Sequence, residues 1–453
     1  MIALDDTHAS TLTAMSAPSP VPSRPWQARA ATNPQIAQLA IYQIWLRSFT
    51  PEGTLAAATA QLGQVAELGA NTVQLPPLTL PSTDTRDEFF SPRTRQSRAG
   101  HYKNPYRVAD YETIDHDYGT EADLRAFVRT AHDHGLRVLL DVVFYHTGPD
   151  CVLLCHDDFY LRAPDGRPLL GDWNFPALNF RSPRLRDYLI NNLCHWVRTA
   201  DVDGFRCDVS FGVPLDFWEQ ARAALDTLRP DLILLAESEV PEDQLAAFDL
   251  NYNFSFYDTL KAVVTQGLPA TRIREYWEIK QARFPRGAKH LYCCDNHDMD
   301  RADVVFGREG AAAAAVLCFT LDGVPFVFNG QEIGDTNPDD IMARDHPIRW
   351  NLSDYPVPAA RRQLFQKLLH LRRTEPALTT GTLVWHPNTE PESVLSFTRA
   401  TPGTEILVLI NLSNRIRRVT VLPASVPAVP TAPHTTELPA FGHEIRMIAG
   451  SGD

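Results

Sequence analysis

The sequence predicts an α/β protein: a (β/α)8 TIM barrel with a short insertion after its third strand and a C-terminal all-β sandwich domain. Three observations predict it. Short apolar β-type runs alternate with amphipathic helical stretches, the pattern of a parallel sheet wrapped by helices. Eight such runs fall between residues 41 and 329, the number of strands that closes a barrel. After residue 375 the helical pattern stops, and short strands separated by Pro- and Gly-containing turns take over.

Residues 1–35 are rich in Ala, Pro, Ser and Thr and read as a poorly ordered tail. The barrel is assigned to 36–375, its insertion to 147–185 and the β domain to 376–453. One unit shows the logic. Thr120 is a helix N-cap, and Leu124, Phe127, Val128 and Ala131 follow as one helical stripe. Gly135 stops the helix. Arg137–Phe144 (RVLLDVVF) is then the near-continuous apolar run expected of a strand covered on both faces. Upstream, a helix at 54–68 leads to a strand at Thr72–Leu75. The other strands are expected at Tyr42–Arg47, Val202–Asp208, Leu232–Glu237, Phe248–Asn251, His290–Asp295 and Val324–Asn329. An open doubly wound sheet has the same periodicity. In the β domain, strands are expected at Leu383–His386, Ser393–Arg399, Glu405–Asn411, Arg418–Leu422 and Glu444–Ile448.

Composition removes options. The 453-residue chain is 44% hydrophobic and 21% charged, ordinary for a globular protein. Forty-two basic against 55 acidic residues give a net charge of −13. Such a chain lacks the basic footprint of nucleic-acid binding and of adhesion to anionic membranes. No apolar run approaches the roughly 20 residues that span a bilayer. Seven cysteines, odd in number and irregularly spaced, fit a reduced compartment. Residues 1–20 lack a basic segment, an apolar run and a cleavage site of the secretory kind. A cytoplasmic protein with a neutral or cationic partner is expected.

In a barrel, chemistry gathers at the C-terminal ends of strands. The third strand ends Asp141-Val-Val-Phe-Tyr-His146 and the fourth Gly204-Phe-Arg206-Cys-Asp208. The fifth ends in Glu237, and the seventh in Asp295-Asn296-His297-Asp298. Each residue alone has a bland reading: a lone Asp after a strand is more often a helix cap, Asp298 included. Together they would deliver carboxylates, histidines and an arginine into one bowl. Arg206 and Asp208 lie two apart on one strand and share a face, so Arg206 is expected to keep Asp208 ionised. Glu237 follows an apolar run with no cationic neighbour in sequence, which favours a raised pKa. One ionised and one protonated carboxyl group is equipment for nucleophilic and general acid catalysis.

These residues resemble the α-amylase family (glycoside hydrolase family 13). Its four short motifs match Asp141–His146 (DVVFYH), Gly204–Asp208 (GFRCD), Glu237 within LLAES, and Asn296–Asp298 (NHD). Tyr42–Phe49, Asn104–Thr120 and Gly323–Gly334 resemble further family segments, so the likeness runs in order over about 41–450. The resemblance implies a retaining α-glycoside hydrolase acting on α-linked glucosides, a small-molecule or oligosaccharide substrate. Asp208 would be the nucleophile, Glu237 the general acid and base, and Asp298 the stabiliser of the transition state. It further implies that His146 and His297 hydrogen-bond the same sugar and that Tyr106 stacks on it. Asp141 and Arg206 would support the site. A transglycosylase would use the same residues. A non-catalytic sugar-binding protein on this scaffold would typically lack one or more of the three carboxylates, and all three are present here.

Departures from the family bear on metal. Many members hold a calcium ion between the barrel and the loop after the third strand. The usual Asn before the motif His is Tyr145 here, the Asp of a short loop motif is Ala177, and the His four residues past the nucleophile is Gly212. Calcium takes 6–8 oxygen ligands, so no metal or other cofactor is expected. Cys151, Cys155, His156, Asp157 and Asp158 have no standard zinc spacing and read as loop residues. Arg86, Arg93, Arg95, Arg98 and Lys103 form a basic loop, read as solvated; the sharper alternative is a rim contact to an anionic sugar. Phe175 and Val209 occupy positions that correlate with bond preference in the family.

Overall fold

The computed structural model describes residues 26–29, 33–96, 103–337, 347–348, 350, 358–422 and 434–449. Among them eight parallel strands carry the barrel: Ile41–Gln43, Thr72–Leu75, Arg137–Val143, Gly204–Asp208, Ile233–Ala236, Leu250–Asn251, Leu291–Tyr292 and Val324–Phe328. Each pairs with its neighbour in sequence, except the sixth with the seventh, and the eighth returns to the first. An Asn251–His290 bridge spans the remaining gap. The sheet therefore closes on itself, which sets aside the open doubly wound alternative.

Several strands are shorter than their apolar runs. The first ends at Gln43, because Asn329 Oδ1 accepts from the Trp45 backbone N–H and the chain turns into a helical segment, Leu46–Phe49. The expected helix at 54–68 is two, Leu55–Thr59 and Leu62–Leu68; the Thr59 hydroxyl bonds back to Leu55 O where the first ends. The helix Glu121–Asp133 behaves as its sequence dictates. Thr120 and Asp123 form a capping box, and Leu124, Phe127, Val128 and Ala131 are buried. Gly204 opens the fourth strand at φ 152°, where a Cβ would stand 1.9 Å from Ile233 O. Only glycine fits that approach.

The C-terminal region holds a four-stranded antiparallel sheet (Thr382–Trp385, Val394–Thr401, Thr404–Asn411, His443–Ala449) and a two-stranded one (Arg417–Val421, His434–Leu438). Val394, Leu407 and Leu409 of the first meet Val419, Val421 and Leu438 of the second in a small core. His434–Leu438 was not expected as a strand, since HTTEL carries a single large apolar residue. The N-terminal segment is less tail-like than its composition suggests. Gln27 bridges to Arg286, Ala28 is buried, and Arg29 pairs with Asp226 at 2.8 Å. Residues 1–25 and 30–32 lie outside the described residues.

A buried arginine ties the barrel to the β domain. Arg372 Nη1 donates to Phe319 O and Leu378 O, and Nη2 to Ala37 O and Gly323 O. These carbonyls come from the helix before the eighth strand, the turn that enters that strand, the chain before the first strand, and the entry to the β domain. Arg372→Met keeps the stem and removes the donors. It is expected to lower unfolding free energy by about 3 kcal/mol in urea melts. A loss below about 1 kcal/mol would contradict this role.

Candidate active site

Strand register assembles the site. Asp141 lies beside Arg206, and Val143 beside Asp208, across the third and fourth strands. Cys207 lies beside Ala236 across the fourth and fifth, so Glu237 emerges next to Asp208. Alternate residues share a face, and the fully buried Arg206 becomes the hub. Its Nη1 donates to Asp141 at 2.8 and 2.9 Å and to Asp208 Oδ1 at 2.8 Å. Its Nη2 is 2.6 Å from Glu237 Oε1. The guanidinium lies 5.9 Å from the Tyr106 ring and 5.6 Å from the Tyr252 ring. Asp208 and Glu237 are thus held on neighbouring nitrogens of one cation.

A second link joins the same pair. Val209, directly after Asp208, is left-handed at φ 43° and ψ 42°. For a β-branched residue that conformation costs on the order of 1–3 kcal/mol. It aims the Val209 N–H at Glu237 Oε2, 2.7 Å away.

The seventh strand contributes His297 and Asp298. The His297 ring lies nearly parallel to the Trp45 ring at 5.1 Å and to the Tyr106 ring at 5.5 Å. Gln43 Nε2 meets its Nδ1 at 2.9 Å, and Tyr106 Oη meets its Nε2 at 2.6 Å. Tyr106 also donates to Asp141 Oδ2 at 2.9 Å. Asp298 lies 3.1 Å from His297 Nε2 and keeps a third of its side chain exposed. It does not cap the next helix: Asp295 accepts from Ala302 N, the first residue of Ala302–Thr320. His146 is buried against Phe175 at 4.8 Å. Seven of the eight sequence-predicted site residues are thus joined by contacts into one cluster, and His146 is seated against Trp173 and Phe175. Sequence reasoning missed Gln43 at the end of the first strand and Trp45 just beyond it, which hold His297, and the Val209 bond.

Two buried carboxylates and the mostly buried Glu237 surround one cation and cannot all stay ionised cheaply. Burial, opposed by Arg206, raises Glu237 to about 8. The same balance raises Asp141 and Asp208 to about 7. Burial holds His146 near 3, so it stays neutral. The raised Glu237 agrees with expectation, though for a different reason, and the expectation for Asp208 is corrected. Glu237 does have a cationic neighbour, and its carboxyl is raised because burial outweighs that neighbour. Arg206 moderates the rise at Asp208 but does not keep it in the ordinary carboxylate range, because the cation is shared.

A model of the α-amylase catalytic domain matches residues 22–156 and 155–363, well over half of the sequence. The chain belongs to the α-amylase family. The α-amylase MalA of Haloarcula japonica is 28% identical over 95% of this chain and 61% of its own length. An intracellular maltogenic amylase of Bacillus subtilis is 25% identical over 82% of this chain and 63% of its own. The chain thus spans less than two thirds of these relatives. The crystal structure of a maltogenic α-amylase, AmyB of Thermotoga neapolitana, superposes with a TM-score of 0.78 at 26% identity, covering 91% of this chain and 97% of that one.

Within this α-amylase-family site the basic loop is largely self-satisfied. Arg86 pairs with Asp84 at 2.6 Å, and Lys103 with Asp115 and Asp117 at 3.1 and 2.5 Å. Arg95 Nη2 donates to Asp87 O at 2.7 Å. Arg98 and the side chain of Arg93 lie outside what is described. Asp158 of the insertion accepts from Ser182 and Arg184. Among the described residues no helix is long and apolar enough to cross a membrane.

The shared cation makes a pH prediction. If Asp208 must be ionised and Glu237 protonated, kcat/KM falls towards acid as Asp208 gains its proton. It falls towards alkali as Glu237 loses its own. The group titrates jointly, and both limbs should lie above the ordinary carboxylate range of about 4. A profile whose acid limb lies at about pH 4 would contradict the shared-cation electrostatics.

Proposed function

We propose that this chain is a retaining α-glycoside hydrolase that cleaves α-linked glucosides, malto-oligosaccharides and α-glucans foremost, by double displacement. The observation that carries the reading is Arg206 holding Asp208 and Glu237 on adjacent nitrogens, the close pairing that a retaining mechanism needs. Asp208 attacks the anomeric carbon while Glu237 gives its proton to the departing oxygen. Water, deprotonated by Glu237, then displaces the sugar from Asp208. Two inversions return the original configuration. Asp298, held by His297, faces the positive charge that grows on the ring. Tyr106, through Asp141 and His297, sets the floor beneath it. The absence of a basic, nucleic-acid-like surface charge is in keeping with a neutral substrate. The names of the relatives, maltogenic amylase and cyclomaltodextrinase, support α-linked gluco-oligosaccharides. The Bacillus subtilis relative's description as intracellular supports a cytoplasmic location.

Incubation with maltose, isomaltose, sucrose, trehalose and soluble starch tests this, with products followed by NMR. Release of short α-glucosides from starch or maltose is expected. Turnover of none of the five would overturn the reading. Products longer than the substrate would move it to transglycosylation.

A further inference from the structure

Tyr145, Ala177 and Gly212, the three positions where the chain departs from the family's calcium ligands, line one groove between the insertion and the end of the fourth strand. The groove suits a cation poorly. The Tyr145 ring lies so close over Gly212 that a Cβ there would stand 2.7 Å from two ring carbons. Ala177 offers only a methyl group. Asn179, also on the groove, is occupied: its Oδ1 accepts from Arg181 N and its Nδ2 donates to Asp158 O. Among the described residues no three His, Cys, Asp or Glu side chains gather that could hold a metal. Calcium with its 6–8 oxygen ligands does not fit these donors.

At the groove's edge the Tyr145 ring joins a set of rings. Trp173 of the insertion meets Tyr145 edge-on at 6.1 Å and His146 at 5.5 Å. Phe175 meets His146 at 4.8 Å. The insertion returns to the barrel at the same point, through a His146–Ala177 bridge and a Thr147 N to Pro176 O bond of 3.1 Å. On its other side the Tyr145 ring rests on Gly212, which closes the short 3-10 turn Ser210–Gly212 that follows Val209. Among the described residues the Tyr145 hydroxyl bonds to Asp172, at 3.3 Å on the exposed side, while the ring makes the contacts with Trp173 and Gly212.

We propose that the Tyr145 ring is a positioning residue that does the work of the family's calcium ion. It fastens the insertion to the end of the fourth strand, and so sets His146 and the Val209–Gly212 turn without a metal. Gly212 is required because the ring occupies the space of any side chain there. The kinetic part of this inference rests on the glycosidase reading; the structural part does not.

The test uses the full chain with Tyr145→Phe, Tyr145→Asn and Gly212→Ala, in excess EDTA and in excess calcium chloride. Melting temperature, limited proteolysis of the insertion, and KM and kcat on starch are read. Wild type should respond to neither additive. Tyr145→Phe should match wild type in all readouts. Tyr145→Asn, which restores the residue the family uses, should raise KM about 10-fold or more with a smaller change in kcat, because misplaced binding groups cost that much. It should also expose the insertion to protease, and calcium should not restore it. Gly212→Ala should lower the melting temperature. A wild-type melting temperature that drops in EDTA and recovers with calcium would overturn the proposal. So would a Tyr145→Asn variant equal to wild type in KM and proteolysis. If Tyr145→Asn does not fold, the EDTA arm on wild type and the Phe and Ala variants still decide. Wild type inactive on every glucan would sink the glycosidase reading alone, since melting and proteolysis still report on the ring.

Discussion

Asp208→Asn is expected to lower kcat on α-glucosides by about 10⁴-fold or more, with the fold intact. The amide is isosteric and can still meet Arg206 Nη1, which lies 2.8 Å from Asp208 Oδ1 in the native protein. It carries no charge to attack the anomeric carbon, so the covalent intermediate does not form. Glu237→Gln should behave differently, losing about 10²–10⁴-fold on natural substrates and far less on substrates whose leaving group needs no proton. The proposed double displacement requires this asymmetry between two carboxylates that share one cation. Kinetics on starch and on a glucosyl fluoride separate the two variants. Asp208→Asn retaining wild-type turnover would remove the nucleophile assignment.

Arg206→Met should be the most destabilising substitution in the site, by about 3–5 kcal/mol. It strips the cation from Asp141, Asp208 and Glu237, all touching it in the native protein and largely shielded from water. The pH dependence has a definite sign. The folded pKa values of these carboxyls already lie above ordinary values, at about 7, 7 and 8. Their protonated forms therefore favour the native state. Their contribution is present below about pH 4 and is lost as pH rises through the folded values. Without Arg206 the rise is larger, so the stability cost of the substitution should be greater at pH 8 than at pH 5. Urea melts at both pH values check this. A cost independent of pH would mean the cation is not what makes ionisation of the trio tolerable.

Much of the site is legible in the sequence because barrels place chemistry at strand ends. Asp208, Glu237, His297 and Asp298 each close an apolar run, and the i, i+2 spacing of Arg206 and Asp208 gives their contact directly. What escapes depends on neighbours distant in sequence. Arg206 reaches Glu237 because the fourth and fifth strands pair in one register, with Arg206 beside Leu235, which no local pattern encodes. Gln43 and Trp45 serve His297 across more than 250 residues, through the return of the eighth strand to the first. The left-handed Val209 is invisible for another reason: a valine after a strand signals continuation, and only tertiary packing holds it in a conformation it disfavours. The fold obeys the same rule. The alternation marks the parallel strands, whereas closure rests on the Asn251–His290 bridge between two very short strands.

The proposed double displacement through Asp208, with Glu237 as acid and base, would fix the stereochemistry of the product. The most direct measurement is the anomeric configuration of the first-formed product, read by ¹H NMR within the earliest turnovers on a maltodextrin, before mutarotation. The new reducing end is predicted to appear first as the α-anomer and then to drift to equilibrium. First appearance of the β-anomer would mean a single displacement and would contradict the assignment of Asp208 as nucleophile.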